Sequence, residues 1–268
     1  MVSRYVIYFT VFSFIGYLYE CLAMVLWTGK WDNRGFLFGP VIPIYGAGAL
    51  LGTLLFEYVI TSYTPLKVFL WSVGASAVLE YVVHYGLEKI FHAYWWDYSK
   101  APFNINGRIC LPASLGFGVA GLLIIYVFDP AILPLLRRMP DELAQFVALL
   151  FTLILSADLT LTISTLSDFI RRVETFDTRI NERMDSFVDN HLDESKAIGE
   201  RFYSAVDHIE EKRKRFTDHW IERAVDSMSS GRRYIITRIK GFKGSRHSSR
   251  LNEVLKKIKE RIKRNEDE

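Results

Sequence analysis

The chain has 268 residues, half of them hydrophobic, and a formal charge of +3. Its two cysteines, Cys21 and Cys110, lie in or beside apolar segments, which excludes a disulfide framework and a cysteine-type metal site. The averages describe neither half. Residues 1–168 hold nine Lys/Arg against eleven Asp/Glu; residues 169–268 hold twenty-four against nineteen. The first part reads as membrane-embedded and the second as a soluble, charged tail.

Five segments are apolar over the roughly 20 residues a helix needs to cross a bilayer. The first, 5–27, carries Glu20. It is too long for the apolar core of a signal peptide and no small-residue cleavage site follows, so it reads as a retained span. The second, 35–60, has Pro40 and Pro43 at its start and Glu57 near its end. Prolines remove backbone donors, so this is the least regular segment and a re-entrant course is an alternative to a span. The third, 66–91, carries Glu80, His84 and Glu88. The fourth, 109–128, is uncharged with Pro112 in its first turn, and the fifth, 143–166, carries Asp158. The fold class expected is all-α: a polytopic bundle of about five spans with a long helical tail. Domains are expected at 1–168 (transmembrane), 169–230 (a long amphipathic helix or coiled coil) and 231–268 (a basic amphipathic tail).

Apolar residues in the tail recur at Val173, Phe176, Ile180, Met184 and Phe187, then at Ile198, Phe202, Val206, Ile209, Trp220 and Met228. Steps of three and four mark one helical face. Several recur at eleven, which suits a straight seam between long helices. Such a stripe needs cover, so a homo-oligomer through the tail is expected, with a hairpin folding back near Ser195–Gly199 as the competing reading. From Gly231 onward thirteen basic residues face five acidic ones. This stretch is amphipathic and reads as a contact for anionic membrane lipid or as a solvated basic end. No base-reading motif points to nucleic acid.

Two connections are unusually polar. "NRGFLFGPVIPIYGAGA" runs over 33–49 and "WWDYSKAPFNINGRICLP" over 95–112. Each places asparagine and arginine beside glycine and then enters an apolar helix with an early proline. Asn33, Arg34 and Gly35 compare with Asn106, Gly107 and Arg108; Tyr45-Gly46-Ala47-Gly48 compares with Gly116-Phe117-Gly118. Each follows a helix that carries acids. This is the pattern of two helix–loop–helix repeats.

A helix start offers free N–H groups and partial positive charge, so arginine beside it builds an anion site for a ligand or for a carboxylate of the protein. Asn104 and Asn106 suit irregular backbone at membrane depth. Trp95, Trp96 and Tyr98 suit the headgroup level. Arg34 and Arg108 either line a site or pair with Glu20, Glu88 or Asp97. Glu80, His84 and Glu88 fall at i, i+4 and i+8, within about 80° of one face. Such a ladder either pairs structurally or carries an ion or proton. Asp158 must also face protein or water. The candidate path is therefore Glu20, Asn33, Arg34, Gly35, Tyr45, Glu80, His84, Glu88, Asp97, Tyr98, Asn104, Asn106, Arg108 and Asp158. No metal or cofactor is implied by these patterns. No phosphate-binding glycine loop, serine elbow or zinc-protease motif appears, so no catalytic residue is assigned.

Arg4, Lys67, Arg137 and Arg138 fall on one membrane face. Lys30, Arg34, Lys89, Lys100, Arg108 and the tail fall on the other, which is the more basic and so expected to be cytoplasmic. The N-terminus is then outside and the tail inside.

"NRGFLFGPVIPIYGAGAL", "WWDYSKAPFNINGRICLPAS" and the "LE" before "YVVHYGLEKIF" resemble the CmpB-type family of ABC-transporter permeases over roughly residues 1–165. The resemblance implies a multi-span protein of a prokaryotic plasma membrane and a separate ATPase subunit as partner. The function expected is transport of a small solute or ion. An oligomeric membrane scaffold or lipid-binding protein is the first alternative, and a membrane-embedded enzyme acting on lipid headgroups the second.

Overall fold

The structure, a computed structural model, describes residues 1–29, 35–192, 199–243 and 248–267. It divides into two units: residues 1–90 with 94–163, and residues 91–93 with 164–268.

In the first unit, α1 (Val2–Thr28) is apolar apart from Arg4 and Glu20 and ends at Gly29, whose φ of 70° lets its N–H turn back to Val25 O. A loop bent over residues 36–40 leads to α2 (Pro43–Leu54), which has proline in its first turn, where a missing N–H costs nothing. One π-helical turn, Leu55–Val59, continues it and is closed by Ile60 N–H to Leu55 O at 2.8 Å. Then follow α3 (Pro65–Phe91), a folded loop, and α4 (Leu111–Leu123), again with proline in the first turn. A second π turn, Ile124–Phe128, is closed by Asp129 N–H to Ile124 O. α5 (Asp129–Arg138) runs straight on, and α6 (Asp141–Leu192) supplies residues to both units.

The two repeats are thus a 27-residue helix, an irregular loop, a proline-started helix of 12 or 13 residues and a five-residue π turn, made twice. Contacts repeat as well. Gly46 of α2 sits against Phe9 and Ser13 of α1, and Gly118 of α4 against Phe69 and Val73 of α3. A methyl group at either glycine would lie within 3 Å of those atoms, so both helix pairs depend on a missing side chain. Phe56 and Ile125, at matching places in the two π turns, pack together with Val68.

Among the described residues, four helices are long and apolar enough to cross a membrane: Val2–Leu26, Pro65–Phe91, Leu111–Arg138 and Asp141–Phe176. The apolar helix Pro43–Val59 is shorter, because residues 35–42 form a loop rather than helix. The fourth segment is longer than its sequence pattern suggests. It continues past 128 to Arg138, because Pro130 falls in the first turn of α5 and the Asp129 side chain turns inward. The core joins Ile7, Tyr8 and Phe12 of α1 to Ala49 of α2, Leu136 of α5, and Ala144 and Ala148 of α6. Leu70, Val78, Leu149 and Leu153 point outward, as lipid-facing positions do. An apolar groove of about 650 Å³ between Leu51, Leu55 and the Leu70–Val82 side of α3 carries no polar side chain.

The second unit contains the end of α6, then α7 (Gly199–Asp226), α8 (Ser230–Arg238) and α9 (Ser248–Asp267). The Phe176 ring stacks on Trp220 at 3.9 Å and on Phe216 at 6.0 Å, so these parts of α6 and α7 lie side by side; residues 195–198, where the hairpin alternative puts its turn, are outside the described residues. Val173, Phe176, Ile221 and Val225 are buried within this chain and need no second copy to cover them. Ile180, Met184, Phe187, Ile198, Phe202, Val206 and Ile209 have side chains outside the described residues. The apolar face of α9 is likewise covered. Leu251, Val254, Leu255, Ile258 and Ile262 are buried, together with Ile235, Ile236, Ile239 and Phe242. This burial concerns the apolar face alone, and the expected contact of the basic residues with anionic lipid does not depend on it. Lys257 and Arg261 of α9 pair with Asp218 and Glu222 of α7 at 2.9 and 3.1 Å.

Candidate functional site

The loop 95–110 folds over the polar face of α3. Its framework is a short hairpin, Asn104–Ile105 against Ile109–Cys110. Asn106 and Gly107 form the turn with φ of 55° and 71°, closed by Arg108 N–H to Ile105 O at 3.0 Å. Asn-Gly is the pair such consecutive left-handed positions favour. Asn104 holds the turn from below: its amide donates to Ala101 O at 2.8 Å, and its carbonyl accepts from Gly107 N–H at 3.2 Å. Asp97 accepts from Ser99 N–H at 2.9 Å and serves the loop's own backbone.

Arg108 is buried and points back at α3. It donates to Glu88 Oε2 through Nη2 at 2.8 Å and Nε at 3.2 Å, and to Tyr81 OH through Nη1 at 2.7 Å. Its guanidinium lies 5.0 and 5.1 Å from the Tyr81 and Tyr85 ring centroids. The Glu88 carboxylate holds the guanidinium's pKa above its ordinary value. Asn106 adds a bond to Tyr81 OH at 3.2 Å. One turn along, His84 Nε2 lies 3.1 Å from Trp96 O, and Trp96 Nε1 donates to Arg108 O at 2.9 Å. His84 Nδ1 lies 3.8 Å from Glu88.

Glu80 is one turn further on and 5 % exposed. Tyr98 OH donates to its Oε1 at 3.3 Å. Its Oε2 is buried without a hydrogen-bond partner among the described residues. Burial first, and then the nearby Glu80 and Glu20 charges, push the Tyr98 phenol above its usual range, so it remains a neutral donor. Glu20 of α1 accepts from Tyr45 OH of α2, whose ring packs over Gly16 and lies 5.8 Å from Phe117 of α4. Glu20, Tyr45, Tyr98 and Glu80 therefore form one polar centre to which both repeats contribute.

The first loop is held differently. Phe38 N–H and Gly39 N–H donate to Asp158 Oδ1 and Oδ2 at 2.9 and 2.8 Å. Thr162 supports Oδ1 at 3.3 Å, and Ile42 N–H bonds Ser13 O at 2.9 Å. These are loop N–H groups ahead of α2, not its helix start, and a carboxylate of the protein occupies them. Gly35 is buried; Asn33 and Arg34 lie outside the described residues.

Tyr81 and Tyr85 were not anticipated, although they stand one residue after Glu80 and four before Lys89 on a helix already marked as polar. The hairpin was missed too, although the Asn106-Gly107 dipeptide is a signal for such a turn. A second buried group, Tyr8, Thr53 and Asp129, was also missed, because Asp129 falls one residue beyond the segment's expected end. Among the described residues, no three His, Cys, Asp or Glu side chains are placed to hold a metal ion.

The family model described as "Putative ABC-transporter type IV" (CmpB) matches residues 7–163, more than half of the chain. The chain belongs to this family. The matched stretch covers both repeats, both loops and Asp158. No curated protein and no solved structure matches the chain. With four apolar helices of spanning length, this is a membrane protein of a transport-related family.

Proposed function

We propose that this CmpB-family protein is a permease-like component that passes a small solute or ion through its first unit. The Glu20–Tyr45–Tyr98–Glu80 centre lies on that path. The observation that carries the reading is Glu80 Oε2: a buried oxygen at membrane depth with no hydrogen-bond partner among the described residues. Leaving it so is costly, and a cation or a donor group of a solute would complete it. Asp158, Asp97, Asn104, Asn106, Arg108, His84 and Glu88 hold the two loops around this centre. The basic-residue asymmetry supports a cytoplasmic tail in a prokaryotic plasma membrane. The family supports a separate ATPase subunit as the energy source.

The test uses full-length protein in nanodiscs with sodium, potassium, ammonium and tetramethylammonium chlorides, and reads the unfolding temperature. At least one cation is expected to stabilise the wild type, with the shift lost in Glu80→Gln. Equal shifts in both proteins, or none in either, overturn the assignment of Glu80.

The paired Arg108–Glu88–Tyr81 cluster also fits the scaffold reading, in which the loops only lock the bundle. That reading predicts no cation effect at Glu80.

A further inference from the structure

A second buried polar group lies apart from the Glu80 centre, at the junction of α1, α2 and α5. Tyr8, Thr53 and Asp129 are 1 %, 3 % and 7 % exposed. Their oxygens make three close contacts: Tyr8 OH to Asp129 Oδ1 at 2.7 Å, Thr53 Oγ1 to Asp129 Oδ2 at 2.9 Å, and Tyr8 OH to Thr53 Oγ1 at 2.7 Å. Three hydrogen bonds need three hydrogens. The two hydroxyls supply two, and an ionised carboxylate supplies none. With Asp129 ionised, one contact would set two oxygens face to face at hydrogen-bond distance with no hydrogen between them. With Asp129 as the acid, the ring closes: carboxyl O–H to Tyr8, Tyr8 to Thr53, and Thr53 to the other carboxyl oxygen.

The surroundings agree with the count. No cation hydrogen-bonds Asp129 among the described residues. From α1, Arg4 is committed to Leu136 O, Met139 O and Asp141. Glu57, four residues beyond Thr53, is of like sign and pairs with Arg137 of α5 at 2.6 Å at a more exposed level. Tyr5 and Tyr58 bond each other at 2.8 Å. From α6, Ala144, Val147, Ala148 and Phe151 pack on this core. An isolated carboxylate at this depth would be costly.

We propose that Tyr8, Thr53 and Asp129 form a proton-binding site of the transmembrane unit, with the proton carried on Asp129. Losing it leaves one oxygen–oxygen contact without a hydrogen, so the ring must open where three helices meet. The two π turns give this motion a place to occur. Leu55–Val59 begins two residues after Thr53, and Ile124–Phe128 ends one residue before Asp129. Such turns carry looser backbone pairing inside a helix. Proton occupancy is thereby coupled to the packing of α1, α2 and α5. Glu57, about one helical turn from Thr53, stands at the exposed end where the proton exchanges with water.

The test is infrared difference spectroscopy on the full chain in nanodiscs at pH 7, wild type minus Asp129→Asn, in H2O and D2O. A protonated-carboxyl C=O band is expected in the wild type, shifted by D2O, absent from the variant and indifferent to sodium. Asparagine keeps one donor and one acceptor, so Asp129→Asn should unfold near the wild-type temperature and Asp129→Ala well below it. A carboxylate band instead of the carboxyl band overturns the proposal. So does loss of the band on adding sodium, which would mark a sodium site. Should Asp129→Asn fail to fold, Thr53→Val must shift the carboxyl band by removing one ring partner; an unchanged spectrum would also overturn it.

Discussion

The two loops that open α2 and α4 solve one problem in two ways. Each must enter the membrane level as irregular backbone, and every buried N–H and C=O there needs a partner. The loop before α4 is largely self-sufficient. Its hairpin, Asn104 and Asp97 satisfy its own backbone, and Arg108 then fastens it to Glu88 and Tyr81 of α3. The loop before α2 borrows. Phe38 and Gly39 donate to Asp158 of α6, and Ile42 donates to the backbone of α1. The helices around them share the close glycine contacts of Gly46 and Gly118, while the loops differ. The shared framework is thus set by close helix packing, and the asymmetry of the polar centre by how each loop is pinned.

Removing the pin of the second loop should have the largest effect. Arg108→Ala takes the guanidinium from the partly buried Glu88 and from Tyr81, a loss of about 2–3 kcal/mol, short of the ~3–5 kcal/mol for breaking a fully buried pair. Lys100→Ala, on the exposed part of the same loop, should stay within about 0.5 kcal/mol. Unfolding midpoints of the two purified variants decide it. Equal midpoints would remove Arg108 from the comparison and leave the hairpin alone as the loop's support.

Sequence reached the second loop more fully than the first, for a physical reason. Glu80, His84 and Glu88 share a face by helical period alone, and Glu88 was among the named partners of Arg108. Asp158 was marked as needing protein or water. Its partners are backbone N–H groups, however, and those belong to no residue type. The same blindness applies to the tail. Its apolar stripe is plain in the pattern, yet periodicity cannot say whether Phe176 meets a second copy or Trp220 of its own chain. The amphipathic α9 could not declare from sequence that α7 and α8 cover its apolar face. Asp129 was lost because an aspartate before proline looks like a helix end.

The first loop should respond next. Asp158→Ala strands the Phe38 and Gly39 N–H groups at partly buried positions, for a loss of about 2 kcal/mol. Asp158→Asn should recover part of it, since one amide oxygen can still accept. Hydrogen exchange makes the prediction local. Amides of residues 36–42 should lose protection while those of 96–110 keep theirs. Loss of protection in both loops would mean that they are coupled and that the borrowed pin serves the second loop as well.

The smallest expected effect separates backbone strain from crowding within the second repeat. Gly107 has φ of 71°, and a methyl there would lie 2.5 Å from Ser99 Oγ. Gly107→Ala should therefore cost about 1–2 kcal/mol, the usual penalty for a side chain in the left-handed region. Gly116, in α4, has nothing within 4 Å of the same methyl, and its backbone is helical. Gly116→Ala should be neutral or slightly stabilising, since alanine is the better helix former by up to about 1 kcal/mol. The Ser99→Ala background tests the mechanism. Removing the hydroxyl relieves the closest contact, leaves Asp97 Oδ1 2.9 Å from the methyl, and leaves the dihedral unchanged. If Gly107→Ala costs as much there as in the wild type, crowding against Ser99 is not the cause, and the Asn106-Gly107 turn with its Asp97 contact is. If the cost vanishes, crowding against Ser99 is responsible, and the turn conformation contributes little to holding Arg108 in place.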